Sequence, residues 1–151
     1  MIHIEKTNFK NEDFKALVAQ LDADLAKRDG EEHNFYHQFN GIEELKHTIV
    51  LYDKKRAVGC GAIKEFRSDT VEIKRMYTIP GSRGKGFATQ ILNALEDWAS
   101  ALGYSICVLE TGKRQPEAIA LYKKNGYQII PNYEPYTQME NSVCFEKRLR
   151  K

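Results

Sequence analysis

The sequence predicts a mixed α/β (α+β) fold: a central mixed, mostly antiparallel sheet of about seven strands with helices on both faces. Three observations lead there. Two apolar runs, His47–Tyr52 and Arg56–Phe66, bracket Asp53-Lys54-Lys55 as hairpin arms bracket a turn, and a third run, Thr70–Thr78, follows across Ser68-Asp69. Next comes one strand–helix–strand crossover: Thr70–Thr78, a strongly amphipathic helix over Gly84–Leu102, and a continuous apolar run at Ser105–Leu109, as expected of a strand buried on both faces. Finally, no repeat, low-complexity tract or Pro/Ser-rich linker divides the 151 residues, so residues 1–151 read as one domain.

The remaining elements follow in order. Ile2–Thr7 reads as a short first strand. Asn11 is placed to cap a helix whose apolar positions Phe14, Leu17, Val18, Leu21 and Leu25 keep helical spacing, and Asp29-Gly30 ends it. From there to Gly41 the polar-aromatic segment reads as a loop with partial helix. The long helix carries Ala88, Ile91, Leu92, Leu95, Trp98, Ala99 and Leu102 on one stripe and stops at Gly103. Pro116 suits the first position of a helix running to Lys124, closed by Asn125-Gly126. Tyr127–Ile130 and Ser142–Lys147 supply the last two strands. The order is β-α-(loop)-β-β-β-α-β-α-β-β.

Composition narrows the function classes. Hydrophobic residues at 42% and charged residues at 29% are ordinary soluble-protein values. A net charge of +2 gives no case for nucleic-acid affinity, and the basic end Lys147-Arg148-Leu149-Arg150-Lys151 reads as a solvated strand and tail. No apolar run approaches the ~18 residues of a membrane span, and the N-terminus lacks a signal-peptide core. Cys60, Cys107 and Cys144 are odd in number and set among apolar neighbours, which reads as reduced core thiols in a cytoplasmic protein. His33 and His37 are four apart but lack the glutamate of an H-E-x-x-H pattern, so no metal is expected.

The chemistry concentrates between Met76 and Ala88. There the third strand turns at Pro80-Gly81 into a cationic, glycine-rich bend that opens the long helix. Gly84 and Gly86 allow a bulky ligand close to the backbone, the helix N-terminus presents free N–H groups, and Arg83 and Lys85 add charge: a corner suited to phosphate or pyrophosphate. A P-loop fails, because the residues from Gly81 read Gly-Ser-Arg-Gly-Lys-Gly-Phe-Ala instead of G-x-x-x-x-G-K-[ST]. A dinucleotide fold gains two glycines and Glu110 at the end of the next strand, yet the third glycine is Thr89 and the preceding strands pair as hairpins.

Coenzyme A is the third reading. Arg83-Gly84-Lys85-Gly86-Phe87-Ala88 resembles the R-x-x-G-x-G/A signature of the GNAT superfamily of acyl-CoA-dependent N-acyltransferases, and Met76–Pro80 resembles the end of that family's fourth strand. Pro116-Glu117-Ala118-Ile119-Ala120-Leu121-Tyr122-Lys123-Lys124-Asn125-Gly126-Tyr127 is similar to its A-x-x-L-Y-x-x-x-G-Y/F segment. The resemblance implies a sheet splayed between strands 4 and 5, with acetyl-CoA held along the fourth strand. It implies that Gly84, Lys85, Gly86, Phe87, Ala88 and Thr89, beside Arg83, take the pyrophosphate. Met76, Tyr77 and Thr78 would line the pantetheine arm, and Gln115 stands where the family often has an asparagine that contacts CoA.

For catalysis, the resemblance implies Met76 N–H as oxyanion donor and Tyr122 as the acid that protonates the departing thiolate, against a plain reading of Tyr122 as a buried helix aromatic. Glu72, four residues before Met76, and Glu110 are both open as general base. Cys60 as an acyl-carrying nucleophile has no activating base beside it. Acceptor residues are expected among Phe35, Tyr36, Arg75, Tyr77, Glu110, Tyr133 and Tyr136: tyrosines and Glu110 would suit a small cationic amine, and Arg75 one bearing a carboxylate. The expected activity is acetyl transfer from acetyl-CoA to a small-molecule primary amine by direct attack in a ternary complex. A non-catalytic acyl-CoA sensor and a protein lysine or N-terminal acetyltransferase are the alternatives, and a homodimer is compatible with this fold.

Overall fold

Among the described residues seven strands form one sheet in the order β1-β2-β3-β4-β5-β7-β6. The computed structural model describes residues 1–38, 41–42 and 45–149. The expected loop residues 39 and 40 and the tail residues Arg150 and Lys151 lie outside them. β1 (Ile2–Thr7), β2 (His47–Asp53), β3 (Arg56–Arg67) and β4 (Thr70–Thr78) are antiparallel neighbours. β5 (Ile106–Gly112) is parallel to β4, and β7 (Ser142–Arg148) inserts antiparallel between β5 and β6 (Gln128–Ile130). The β2–β3 turn places both Lys54 and Lys55 at positive φ, 52° and 71°, the handedness that a tight hairpin of two residues requires.

Helices cover the two faces. α1 (Glu12–Asp29) starts as its sequence dictates, with the Asn11 side chain accepting a hydrogen bond from Phe14 N at 2.9 Å. It buries Phe14, Leu17, Val18 and Leu21 against the sheet. α3 (Phe87–Ala101) buries Ile91, Leu92 and Leu95 on the opposite face. A short helix, α2 (His33–His37), and α4 (Pro116–Lys124) flank the end of the sheet where β4 and β5 part. Among the described residues no helix is long and apolar enough to cross a membrane.

Two boundaries differ from the sequence reading by more than one residue, each for a backbone reason. α3 begins at Phe87 instead of Gly84, because Gly84 and Gly86 sit at φ 79° and 81° and hold the bend outside the helix. β5 runs to Gly112 instead of Leu109. Its polar end Glu110-Thr111-Gly112 breaks the apolar run, but main-chain pairing with Cys144, Val143 and Ser142 carries the strand on.

β4 is bent by a bulge that the side-chain pattern does not announce. Cys60 pairs with Tyr77 and Ala62 with Lys74, so Gly61 alone faces both Arg75 and Met76. Arg75 adopts φ 58°, a left-handed conformation that costs a non-glycine residue on the order of 1–3 kcal/mol. β4 leaves β5 just ahead of the bulge: their parallel pairing covers only Thr70↔Ile106, Val71↔Cys107 and Glu72↔Val108. The gap between Met76–Thr78 and the outer half of β5 is the fold's opening.

Gly61 gives the bend its room. A Cβ built there would lie 2.6 Å from Met76 Sδ and 2.9 Å from a Leu95 methyl. Gly61→Val is therefore expected to lower stability by about 1–3 kcal/mol through overpacking, measured by denaturant unfolding. A wild-type value would remove Gly61 from the account.

Candidate active site

Two cavities occupy the opening and meet at its centre. The larger, about 370 Å³, follows the outer end of β4 and the glycine bend, and the smaller, about 110 Å³, lies between α1 and the splayed strands. Leu21, Met76, Gln115, Ala118 and Tyr122 line both, so a ligand in one reaches a ligand in the other past Met76 and Tyr122.

The larger cavity is built by the bend. Gly84, Gly86, Phe87, Ala88 and Thr89 line it, joined by Tyr77, Thr78 and Arg83. Gly86 is the N-cap of α3 and carries no capping side chain, so the first N–H groups of the helix face the cavity with the positive end of the helix dipole. Open space surrounds the Cβ positions of Gly84 and Gly86. These features fit a pyrophosphate. Arg83 is folded back: its Nε donates to the Thr78 carbonyl at 2.9 Å and its guanidinium stands 5.6 Å over the Tyr77 ring. The Thr89 hydroxyl accepts from Asn125 Nδ2 at 3.3 Å, and Lys85 is exposed and outside the cavity lining.

The smaller cavity is polar. Glu110 from β5, Glu72 and Lys74 from β4, Asp29 from the end of α1, and Tyr36 and Tyr136 surround it. Burial pushes the Glu110 carboxyl up to about 7; a hydrogen bond from Ser142 opposes the rise, and the nearby Glu72 charge adds to it. Glu72 is held otherwise, accepting a hydrogen bond from Tyr133 OH at 2.8 Å and lying 3.6 Å from Lys74 Nζ. Burial also raises Asp29, against the pull of Arg114. Tyr122 is enclosed against Tyr127 and Phe145, and burial, then the Glu110 charge, raise its phenol. The phenol therefore keeps its proton at every physiological pH.

Not all expected acceptor residues gather here. Tyr36, Glu110 and Tyr136 do; Tyr77 belongs to the larger cavity. Phe35 and Tyr133 stand behind the smaller one, packed on Tyr36 and Tyr136. Arg75 also lines the smaller cavity, with its side chain only 2% exposed and its Nη2 bonded to Asp22 and the Val18 carbonyl of α1. Cys60 is fully buried, its Sγ donates to the Arg75 carbonyl at 3.4 Å, and burial lifts its thiol to about 12, which leaves no thiolate.

Sequence reading missed Asp29, Lys74 and Asn141 of the smaller cavity. Asp29 looked like a helix stop. It also missed a clasp across the mouth. Arg28 pairs with Asp24 at 3.2 Å and with Glu117, and Arg114 pairs with Glu32 at 2.7 Å and Asp29 at 3.7 Å, tying the end of α1 and the turn after it to α4 and the loop before α4.

The model of the acetyltransferase (GNAT) family matches residues 13–127. The chain belongs to this family. An IAA acetyltransferase of Azospirillum brasilense is 40% identical over 102 residues, 67% of each chain. A crystal structure from Klebsiella pneumoniae subsp. pneumoniae MGH 78578, provisionally described as an acyl-CoA N-acyltransferase, superposes at a TM-score of 0.83 over 99% of both chains, with 32% identity. A GNAT family acetyltransferase from Elizabethkingia anophelis, solved with acetyl-CoA bound, shares the fold at a TM-score of 0.71 over 98% of both chains, with 16% identity. GNAT proteins generally use acetyl-CoA, and the splayed sheet described above is their fold.

Glu110 costs this GNAT fold stability when ionised. Its folded value near 7 lies above its ordinary 4.5, so the folded form binds the extra proton and stability falls as pH rises from about 4.5 through 7. Glu110→Gln is expected to be more stable than wild type at pH 8, by at most about 3 kcal/mol, and to lose that advantage near pH 4. Denaturant unfolding at the two pH values checks this; an advantage that persists at pH 4 contradicts it.

Proposed function

We propose that the protein transfers an acetyl group from acetyl-CoA to the amine of a small molecule by direct attack, with acyl donor and acceptor bound together. The observation that carries this reading is the junction of the two cavities at Met76 and Tyr122. One side offers an anion cradle and the other a carboxyl poised near neutrality. Bound acetyl-CoA supplies an activated acyl group and a thiolate leaving group. The bend at Gly84–Thr89 would hold its pyrophosphate, and the unpaired edge of β4 at Met76–Thr78 would align its arm.

On the acceptor side Glu110 is the group best suited to take a proton. Its value near 7 lets it hold an arriving ammonium and remove its proton at working pH. Glu72, tied to Tyr133 and Lys74, has fewer open positions for a substrate and serves better as a wall. Tyr122, always protonated, is a standing donor toward the departing sulfur. Met76 N–H, at the bulge, is the donor positioned for the oxyanion. The small cavity favours a compact acceptor head. At about 110 Å³ it is smaller than the ~150 Å³ cavity that accepts benzene, so few atoms beyond the amine enter it.

Release of free thiol from acetyl-CoA in the presence of a panel of small primary amines tests the reading. Turnover that rises with pH to a plateau above about 7 and disappears in Glu110→Gln is expected. Cofactor binding without turnover on any amine would instead favour an acyl-CoA sensor. Tyr122→Phe is expected to lower kcat on the order of 100-fold with acetyl-CoA affinity nearly unchanged. An unaltered kcat removes Tyr122 from the chemistry. Gly86→Asp, which places a β-carbon and a negative charge at a φ of 81°, is expected to abolish calorimetric binding of CoA while the domain stays folded; retained binding would overturn the pyrophosphate assignment.

A further inference from the structure

Glu110 is supported by a line of polar groups that runs along the wall of the smaller cavity and ends on α2. Ser142, at the start of β7, pairs with Gly112, two residues along β5 from Glu110 and on the same face of the sheet, where its hydroxyl acts on the carboxyl as a donor. The Ser142 hydroxyl lies 2.9 Å from Tyr36 OH, and Asn141 Nδ2 donates to the same phenol oxygen at 3.4 Å. All three supporting residues are buried.

The direction of the bonds follows from the donor inventory. An ionised Glu110 carboxylate can only accept, so Ser142 spends its proton there and accepts in turn from Tyr36 OH, while Asn141 Nδ2 donates to the Tyr36 oxygen. Each bond polarises the next in such a chain, so a donor three groups away strengthens the last bond to the carboxylate.

Packing alone does not account for the Tyr36 hydroxyl. Its ring lies 6.3 Å from the Tyr136 ring and 5.4 Å from Phe35, contacts a phenylalanine would make equally well. Among the described residues the hydroxyl meets Ser142 and Asn141.

We propose that Tyr36 is a positioning residue for the reaction, acting through Ser142 to hold Glu110 in its proton-accepting, charged form. The inference rests on the role given to Glu110 under Proposed function. Other groups also face that carboxyl: Glu72 and Lys74 from β4, Asp29 from α1, Tyr122 from α4, and Tyr136 from the loop before β7. Glu72 and Asp29 work against its charge and Lys74 works for it, with Ser142 the strongest influence opposing burial.

Carbon NMR titration of the Glu110 carboxyl in the free, full-length protein tests the chain. Relative to wild type, Ser142→Ala is expected to titrate about one pH unit higher, and Tyr36→Phe about half a unit higher. The acid limb of kcat/KM is expected to move by the same amounts while CoA affinity stays unchanged. A Glu110 titration unmoved in Tyr36→Phe overturns the proposal, and that variant keeps the ring on which local packing depends. The titration needs no substrate, so its failure is distinct from failure of the acetyl-transfer reading, which would show as turnover surviving Glu110→Gln.

Discussion

The guanidinium of Arg75, buried against Asp22 and the Val18 carbonyl of α1, holds β4 in the bend on which both cavities depend. A left-handed arginine in mid-strand is costly, and its Nε has no hydrogen-bond partner among the described residues. Such a conformation persists where the surroundings over-determine it. Here they do so from two sides: the charge is fixed to α1, and the absent side chain of Gly61 lets Met76 pass toward α3. Without the bend β4 could continue beside β5, and the gap that admits a ligand between them would close. The residue that sequence reading offered to a substrate thus also holds the frame.

The two halves of the site draw on different physics. The cradle at Gly84–Thr89 needs no buried charge, since backbone N–H groups and exposed arginine and lysine supply its field. The acceptor half sequesters Glu110 with Glu72 and Asp29 nearby, an arrangement that raises its proton affinity at the expense of the folded state. Strain and unfavourable electrostatics are concentrated within one short stretch of β4 and β5, while the apolar layers beneath, such as Ile49, Leu51, Ile91 and Leu92, are fully buried.

Much of this was legible in the chain because the signals are local. A 3.6-residue stripe, an asparagine cap, a proline at a helix start and two glycines at a bend each report on a few adjacent residues, and the element order followed from them. The cradle was legible for the same reason. The helix start was misplaced by three residues because glycine at positive φ resembles a helix residue in composition but not in conformation. Arg75, Asp29 and the Arg28 and Arg114 clasp were opaque because their meaning lies in partners 53 to 89 positions away. Glu110 was open as a base from its place at a strand end, yet the hydroxyls that support it come from α2 and β7, which no spacing rule links.

The sheet order has a consequence for how the molecule is made. β5 touches β4 over only three residue pairs, whereas β7 pairs with it along its whole length, from Ile106↔Arg148 to Gly112↔Ser142. Lys147 of β7 also reaches Glu96 of α3 at 2.9 Å, fastening that edge to the opposite helix layer. β7 is the last strand in chain order, so a nascent polypeptide on the ribosome can complete the β1–β4 meander early but must leave β5 half-paired. Biogenesis therefore finishes at the seam between β4 and β5, and a translation product halted before Ser142 would present an unsheathed strand to chaperones.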